Sequence, residues 1–328
     1  MSTSEKESSP NIETVKELSQ KYSNWGRWGD DDQIGTLNLV TPQEIVAAAA
    51  LVRKGQVFSL GIPFGDSGPQ NGGFARFNPI HLMTRDGNDA LAGTTPRDFY
   101  GGRDGYTRSA DDIVIMPLQC ATQWDGLSHI LYDNKMYNGY SADMVSSKGA
   151  LKNSITEARD RMVGRGVLLD VARAQGVDWL PPGTVIGADE LESCAVSQGV
   201  EVRQGDIVLI RTGQMGEVQA RGSWADYAGG SAPGLGLSAA GWIYEKQLSA
   251  IATDTWGMEA LPNETPDVFQ PLHIILIVHM GLTVGEIFDF EALGEDCAGD
   301  GVYEFLFSSP PLPIEMAVAS PINPVAIK

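Results

Sequence analysis

The chain has 328 residues, 42% of them hydrophobic, which is enough for one large packed domain or two smaller ones. Its 42 acidic and 23 basic side chains leave a formal charge of −19, which argues against nucleic acid and anionic membrane surfaces as partners. Three cysteines without metal-type spacing argue against a disulfide framework, no apolar run is long enough to span a bilayer, and the polar first ten residues lack a secretory core segment. The expected setting is therefore a reducing cytoplasm.

Residues 1 to about 20, rich in Ser and Glu, read as a mobile polar leader, and 21–328 as a single domain. Asn24 to Asn38 sets Trp25 and Trp28 among glycines, a loop that docks its rings on an apolar surface. Thr41-Pro42-Gln43-Glu44 is a capping box with proline at the first helical position, and the alanine-rich helix behind it is expected to stop near Gly55. Gln56 to Gly61 reads as a strand, and residues 62–79 as a long Gly/Pro/Asn-rich loop of a length that is more often functional than decorative. His81 follows amid apolar residues. It reads either as a core histidine or as a substrate-binding group.

Ile113-Val114-Ile115-Met116-Pro117-Leu118 predicts a buried strand. Behind it, Gln119, Gln123 and Asp125 would project from one face of an extended segment, and the turn signalled by Gly126 would swing His129 back to them. Two carboxamides, a carboxylate and an imidazole so gathered can hold a metal ion or move a proton. Trp124 and, in the polar aromatic loop Tyr132–Gly139, Tyr137 are the aromatic candidates for substrate contact. Gly166–Val171 and Asp206–Arg211 read as strands, Asp189–Gln198 as a helix ended by Gly199, and Ala250–Thr253 as a strand. The glycine-rich Gly229–Gly236 lacks the spacing and the lysine of a phosphate loop, so nucleotide binding is not expected. His273 stands before a run of aliphatics and Glu286 lies downstream. Taken singly, Asp125 could cap a turn and His273 could be a core histidine. Periodicity alone gives a mixed α and β chain in which strands outnumber helices.

The stretch Gln119 to His129 resembles the His-x-Gly-Thr-His-x-Asp-x-x-x-His signature of the cyclase family, which includes arylformamidases and isatin hydrolases. Thr122, Asp125 and His129 match it, while Gln119 and Gln123 stand where two ligand histidines would be. The opening Asn24–Asn38, the Arg211-Thr212-Gly213 turn and the closing segment 303–327 extend the resemblance along nearly the whole chain. It implies a swivelling β/β/α fold with a barrel-like mixed sheet and flanking helices. It also implies that His273 and Glu286 form a second ligand pair, completing with Asp125 a site for zinc or manganese in which Gln123 is a weak fourth ligand. His129 would be the acid/base and Gln119 would face the substrate. The implied reaction is hydrolysis of an amide, lactam or lactone in a small cyclic or aromatic molecule, by a homodimer or larger homo-oligomer. Two other readings are a metal-independent cyclase or dehydratase using His129 and Asp125, and a non-catalytic small-molecule-binding relative. Nothing basic is placed beside Cys120 and no Gly-x-Ser-x-Gly elbow occurs, which disfavours a covalent nucleophile.

Overall fold

Short apolar runs punctuated by glycine and aspartate build one mixed sheet in the computed structural model, which describes residues 10–94 and 108–328. Nine strands follow one another across it: Val57–Ser59, Val325–Ile327, Glu304–Ser308, Val163–Asp170, Ile207–Arg211, Ala250–Thr253, Thr283–Glu286, Gln123–Asp125 and Ala319–Pro321. The four from Val163–Asp170 to Thr283–Glu286 are parallel, and the flanking ones pair antiparallel. Parallel neighbours need crossovers, and the helices Ala188–Gln198 and Ala239–Lys246 and the Pro271–Met280 segment supply them. Both faces of the central strands are consequently covered. Val167, Leu169, Val208 and Ile210 enter one core, and Leu168, Ile207 and Leu209 enter the other. The sheet curls into a half barrel with helices around it, as the resemblance implied.

Several local readings hold. The capping box at Thr41 and Glu44 is formed on both sides, although its helix, Pro42–Ala49, stops short of Gly55. Gly199 ends its helix in the left-handed conformation that glycine adopts without steric cost. Trp25 docks on the chain's own core, donating from Nε1 to the Val278 carbonyl and stacking on His279 at 5.2 Å.

Two readings are corrected. The leader was expected to run to about residue 20, but Ile12–Lys21 is a helix, capped by Asn11 and packed on the 274–280 segment with Val15 fully buried. Its apolar stripe is narrow enough to be hidden in a polar composition; residues 1–9 lie outside the described ones. Ile113-Val114-Ile115 was expected to be buried, yet among the described residues Asp111–Ile115 pairs only with Ile80–Arg85, in an antiparallel pair apart from the main sheet whose residues are exposed up to the partly buried Arg85.

Candidate active site

Strand register assembles the first half of the site. Gln123 lies opposite Glu286 and Asp125 opposite Val284, so Gln123, Asp125 and Glu286 share one face of the sheet. Gln123 Nε2 donates to Glu286 Oε2 at 2.9 Å. The intervening Trp124 necessarily points the other way. It is fully buried, packs edge-on against Phe288 and Phe307, and donates from Nε1 to the Ser309 carbonyl at 2.9 Å. Opposite it, residue 285 has to be glycine, since a Cβ there would come within 2.6 Å of the Trp124 ring. Trp124 is therefore a core residue and not a substrate contact.

His273 arrives from a different direction. Pro271–His273 is a single helical turn that widens at once into a π-helix, Ile274–Met280, a form that concentrates at functional sites. Aliphatic side chains from Ile274 to Val278 are buried and anchor the turn. Glu259 Oε1 accepts both the His273 backbone N–H, at 2.7 Å, and Nδ1 of the ring, at 2.6 Å. Nε2 then faces Glu286 Oε1 at 3.2 Å. Burial alone would lower the imidazole's pKa, but the hydrogen bonds to Glu259 and Glu286 outweigh it and raise it to about 10. Burial and the charge of Asp125 push Glu286 upward, against the pull of His273.

One ligand atom from each of Asp125, His273 and Glu286 lies within 4.8 Å of the others, and all three side chains are buried. Two further oxygens, Asp125 Oδ1 and Gln123 Oε1, are buried without a hydrogen-bond partner. Leaving such acceptors unsatisfied costs about 1–3 kcal/mol each. Two carboxylates, an imidazole and unpartnered oxygens suit a divalent ion such as zinc or manganese, so the residues fit the metal that the family resemblance implied.

His129 completes the arrangement. The turn at Gly126 is closed by a hydrogen bond from the His129 N–H to the Gly126 carbonyl at 3.0 Å. It brings Nε2 to 3.8 Å from Asp125 Oδ2, while Nδ1 meets the Gln119 carboxamide at 3.2 Å. Burial lowers the His129 pKa and Asp125 opposes the shift. Gln119 thus holds the histidine instead of lining the substrate wall.

Asp125, His129, His273 and Glu286 form the floor of a cavity of about 260 Å³, walled by Phe74, Trp256 and Phe269. The Arg76 guanidinium also lines it, 5.4 Å from the centre of the Trp256 ring. Among the described residues it makes no ion pair. The sequence reading missed Glu259, Arg76, Phe74, Trp256 and Phe269. Arg76 and Phe74 belong to the long 62–79 loop, whose length was a signal. Glu259 and Trp256 follow the Ala250–Thr253 strand, and a loop at a strand's carboxyl end was the available clue.

Besides Trp124 and Gln119, two further candidates are displaced. His81 sits on the exposed hairpin with Nε2 at 2.8 Å from Asp112, away from the cavity, because strand pairing and not the apolar flanks set its position. Tyr137 is fully buried and donates its hydroxyl to Asp32 at 2.9 Å, since the 137–139 turn folds inward against Gly281. Cys120 is buried, and burial pushes its thiol up to about 11, which suits no nucleophile.

Residues 20–260 match the family model described as "Putative cyclase". A crystal structure of a novel cyclase is 38% identical, covers 94% of this chain and 99% of its own, and superposes with a TM-score of 0.83. Isatin hydrolase A from Labrenzia aggregata, bound to benzyl benzoate, is 18% identical over 87% of this chain and 97% of its own, with a TM-score of 0.57. A potential metal-dependent hydrolase with cyclase activity is 15% identical over 83% of this chain and 98% of its own, with a TM-score of 0.50. No functionally curated protein matches the chain.

Proposed function

Since this chain belongs to the cyclase family, we propose that it is a metal-dependent hydrolase opening an amide, lactam or lactone bond in a small aromatic molecule. The observation that carries the reading is the buried Asp125–His273–Glu286 cluster at the floor of an aromatic-walled cavity, with Asp125 Oδ1 and Gln123 Oε1 left unpartnered beside it. When bound, a divalent ion there supplies Lewis acidity towards a carbonyl and lowers the pKa of water.

The protein's own residues do the rest. Glu259 fixes the His273 ring so that Nε2 faces inward, the orienting role that carboxylates commonly play for ligand histidines. Gln123 holds Glu286 in register while keeping its own oxygen free. His129, within reach of the same floor, takes a proton from attacking water and returns it to the leaving group. Gln119 can present either its oxygen or its nitrogen to Nδ1, because a carboxamide carries an acceptor and donors. With the oxygen presented, Nδ1 keeps the proton and Nε2 is free to accept one; with the nitrogen presented, Nε2 carries it. A carboxamide in this position therefore pairs with either tautomer of His129 without competing for the proton. Phe74, Trp256 and Phe269 stack a planar substrate, and Arg76 offers a guanidinium to a carbonyl or carboxylate on it.

One observation favours a metal-independent cyclase or dehydratase instead. His273 Nε2 and Glu286 Oε1 already face each other at 3.2 Å, as a self-sufficient ion pair would. Elemental analysis of protein purified without chelator, together with a turnover screen on aromatic lactams, lactones and anilides, separates the readings. Stoichiometric zinc or manganese with hydrolysis that chelator abolishes is the expected result. Turnover at full rate in metal-free protein would overturn the proposal.

A further inference from the structure

A second cavity, of about 350 Å³, adjoins the site cavity and has no part in the chemistry described so far. Phe74, Trp256 and Phe269 line both cavities, and residues 229–231, Leu261 and Pro262 complete the second one. The glycine-rich segment that lacks phosphate-loop spacing thus serves as a wall. None of the described residues around this cavity is ionisable, whereas Asp125, His129, His273 and Glu286 floor its neighbour. The wall is well fixed. Ala232 and Leu261 exchange backbone hydrogen bonds at 3.0 Å in both directions, and Ser231 Oγ donates to the Leu261 carbonyl at 2.9 Å.

The rings shared by the two cavities are unusually held. Phe74 and Ala75 have φ of 55° and 57°, a region that bulky residues rarely occupy and that is concentrated at ligand clamps and active sites. This conformation sets the Phe74 ring 5.8 Å from Trp256 and 6.0 Å from Phe269, the latter pair stacked. Phe74 and Phe269 nevertheless leave 69% and 55% of their surface exposed.

We propose that the second cavity holds an uncharged apolar arm of the substrate whose carbonyl lies over Asp125, His273 and Glu286. The substrate class is then an aryl carbonyl compound bearing an alkyl or aryl substituent, a conclusion that rests on the function proposed above. Size supports it. The site cavity alone, about 260 Å³, falls short of the roughly 300–1,000 Å³ of small-molecule pockets, and the two together lie well inside that range. Chemistry supports it as well. The polar end of the molecule meets the charged floor and Arg76, while a charged arm would find no partner beyond the rings and would be costly to desolvate. Because the same three rings bound both cavities, one molecule packed on them spans the pair.

Equilibrium dialysis with acetophenones tests the arm by binding alone, since these present an aryl carbonyl and no amide or ester bond to hydrolyse. The series is acetophenone and its derivatives with ethyl, butyl, hexyl or carboxypropyl arms at the meta or para position. Each methylene taken out of water tightens binding about fourfold. The better-placed butyl isomer is therefore expected to bind at least about tenfold tighter than acetophenone, and the carboxypropyl compound to show no gain. Ser231→Phe, which fills the second cavity and does not touch the floor, is expected to remove the butyl gain. Should that variant fail to fold, Leu261→Ala decides, because a widened cavity is expected to shift the preference towards the longer arm. Equal affinity across the series, or no binding by any member, overturns the proposal. So does a charged arm that binds as well as butyl, a butyl gain that Ser231→Phe leaves intact, or a preference that Leu261→Ala does not move. The hydrolase reading fails separately: turnover in metal-free protein would overturn it and leave an arm-dependent affinity standing.

Discussion

Glu259 decides which nitrogen of His273 faces the cavity, because its Oε1 is 2.6 Å from Nδ1 and leaves Nε2 to face Glu286 on the inner side. Glu259→Gln keeps the shape but replaces an anionic acceptor with a neutral group. It is expected to weaken metal affinity about 10- to 100-fold without unfolding the chain, as measured by calorimetric titration with zinc. Asp125→Ala removes a proposed ligand outright, and both bound metal and turnover are expected to vanish; a stoichiometric ion in that variant would exclude Asp125 from the site. His129→Ala should retain fold and metal while turnover falls about 10²- to 10⁴-fold, the usual range for a lost acid/base. An unchanged rate would make His129 a structural residue. Trp124 is a different case. Its ring fills the opposite core, so Trp124→Ala should cost about 3–5 kcal/mol in urea unfolding, whereas loss of affinity without loss of stability would restore it to the substrate wall.

At the scale of elements, the π-helix Ile274–Met280 carries His273 at one end and His279 near the other. His279 lies against the Trp25 ring and the edge of Tyr132, its Nε2 buried without a partner, and the Lys135 ammonium stands over the far ring of that stack. Burial lowers its pKa from 6.5 to about 4. A base whose pKa is depressed on folding stabilises the native state fully above its unfolded value, and that stability is lost as pH falls through the folded one. Thermal stability should therefore decline between pH 6.5 and about 4. His279→Phe, which keeps the stacking and cannot charge, should flatten that decline; an identical pH profile in the variant would assign acid sensitivity elsewhere. The helix Ile12–Lys21 rests on the same π-helix.

For the molecule as a whole, the cluster ties a strand at Gln123–Asp125, a strand at Thr283–Glu286 and the turn at Pro271–His273 into one knot. An ion held there binds the folded chain and not the unfolded one, and at a hundred times its dissociation constant it adds about 2.7 kcal/mol. Melting of the wild type should shift upward by several degrees with zinc or manganese and return with chelator, and Asp125→Ala should show no shift. A wild type indifferent to both additions would count against the site. Gln123, Asp125 and His129 could be brought together from the sequence, because a period of two and one turn at Gly126 decide their meeting within seven residues. The caps at Thr41 and Gly199 were legible for the same reason: each is settled by atoms no more than a few residues apart. By resemblance the sequence also supplied the family's ligand positions at His273 and Glu286, but not Glu259, whose contact depends on how a loop after one strand meets a turn before another. Composition likewise shows how apolar Ile113-Val114-Ile115 is and not whether anything covers it. Side-chain periodicity fixes which residues share a face; which faces are buried is set by surfaces that only long-range packing brings up against them.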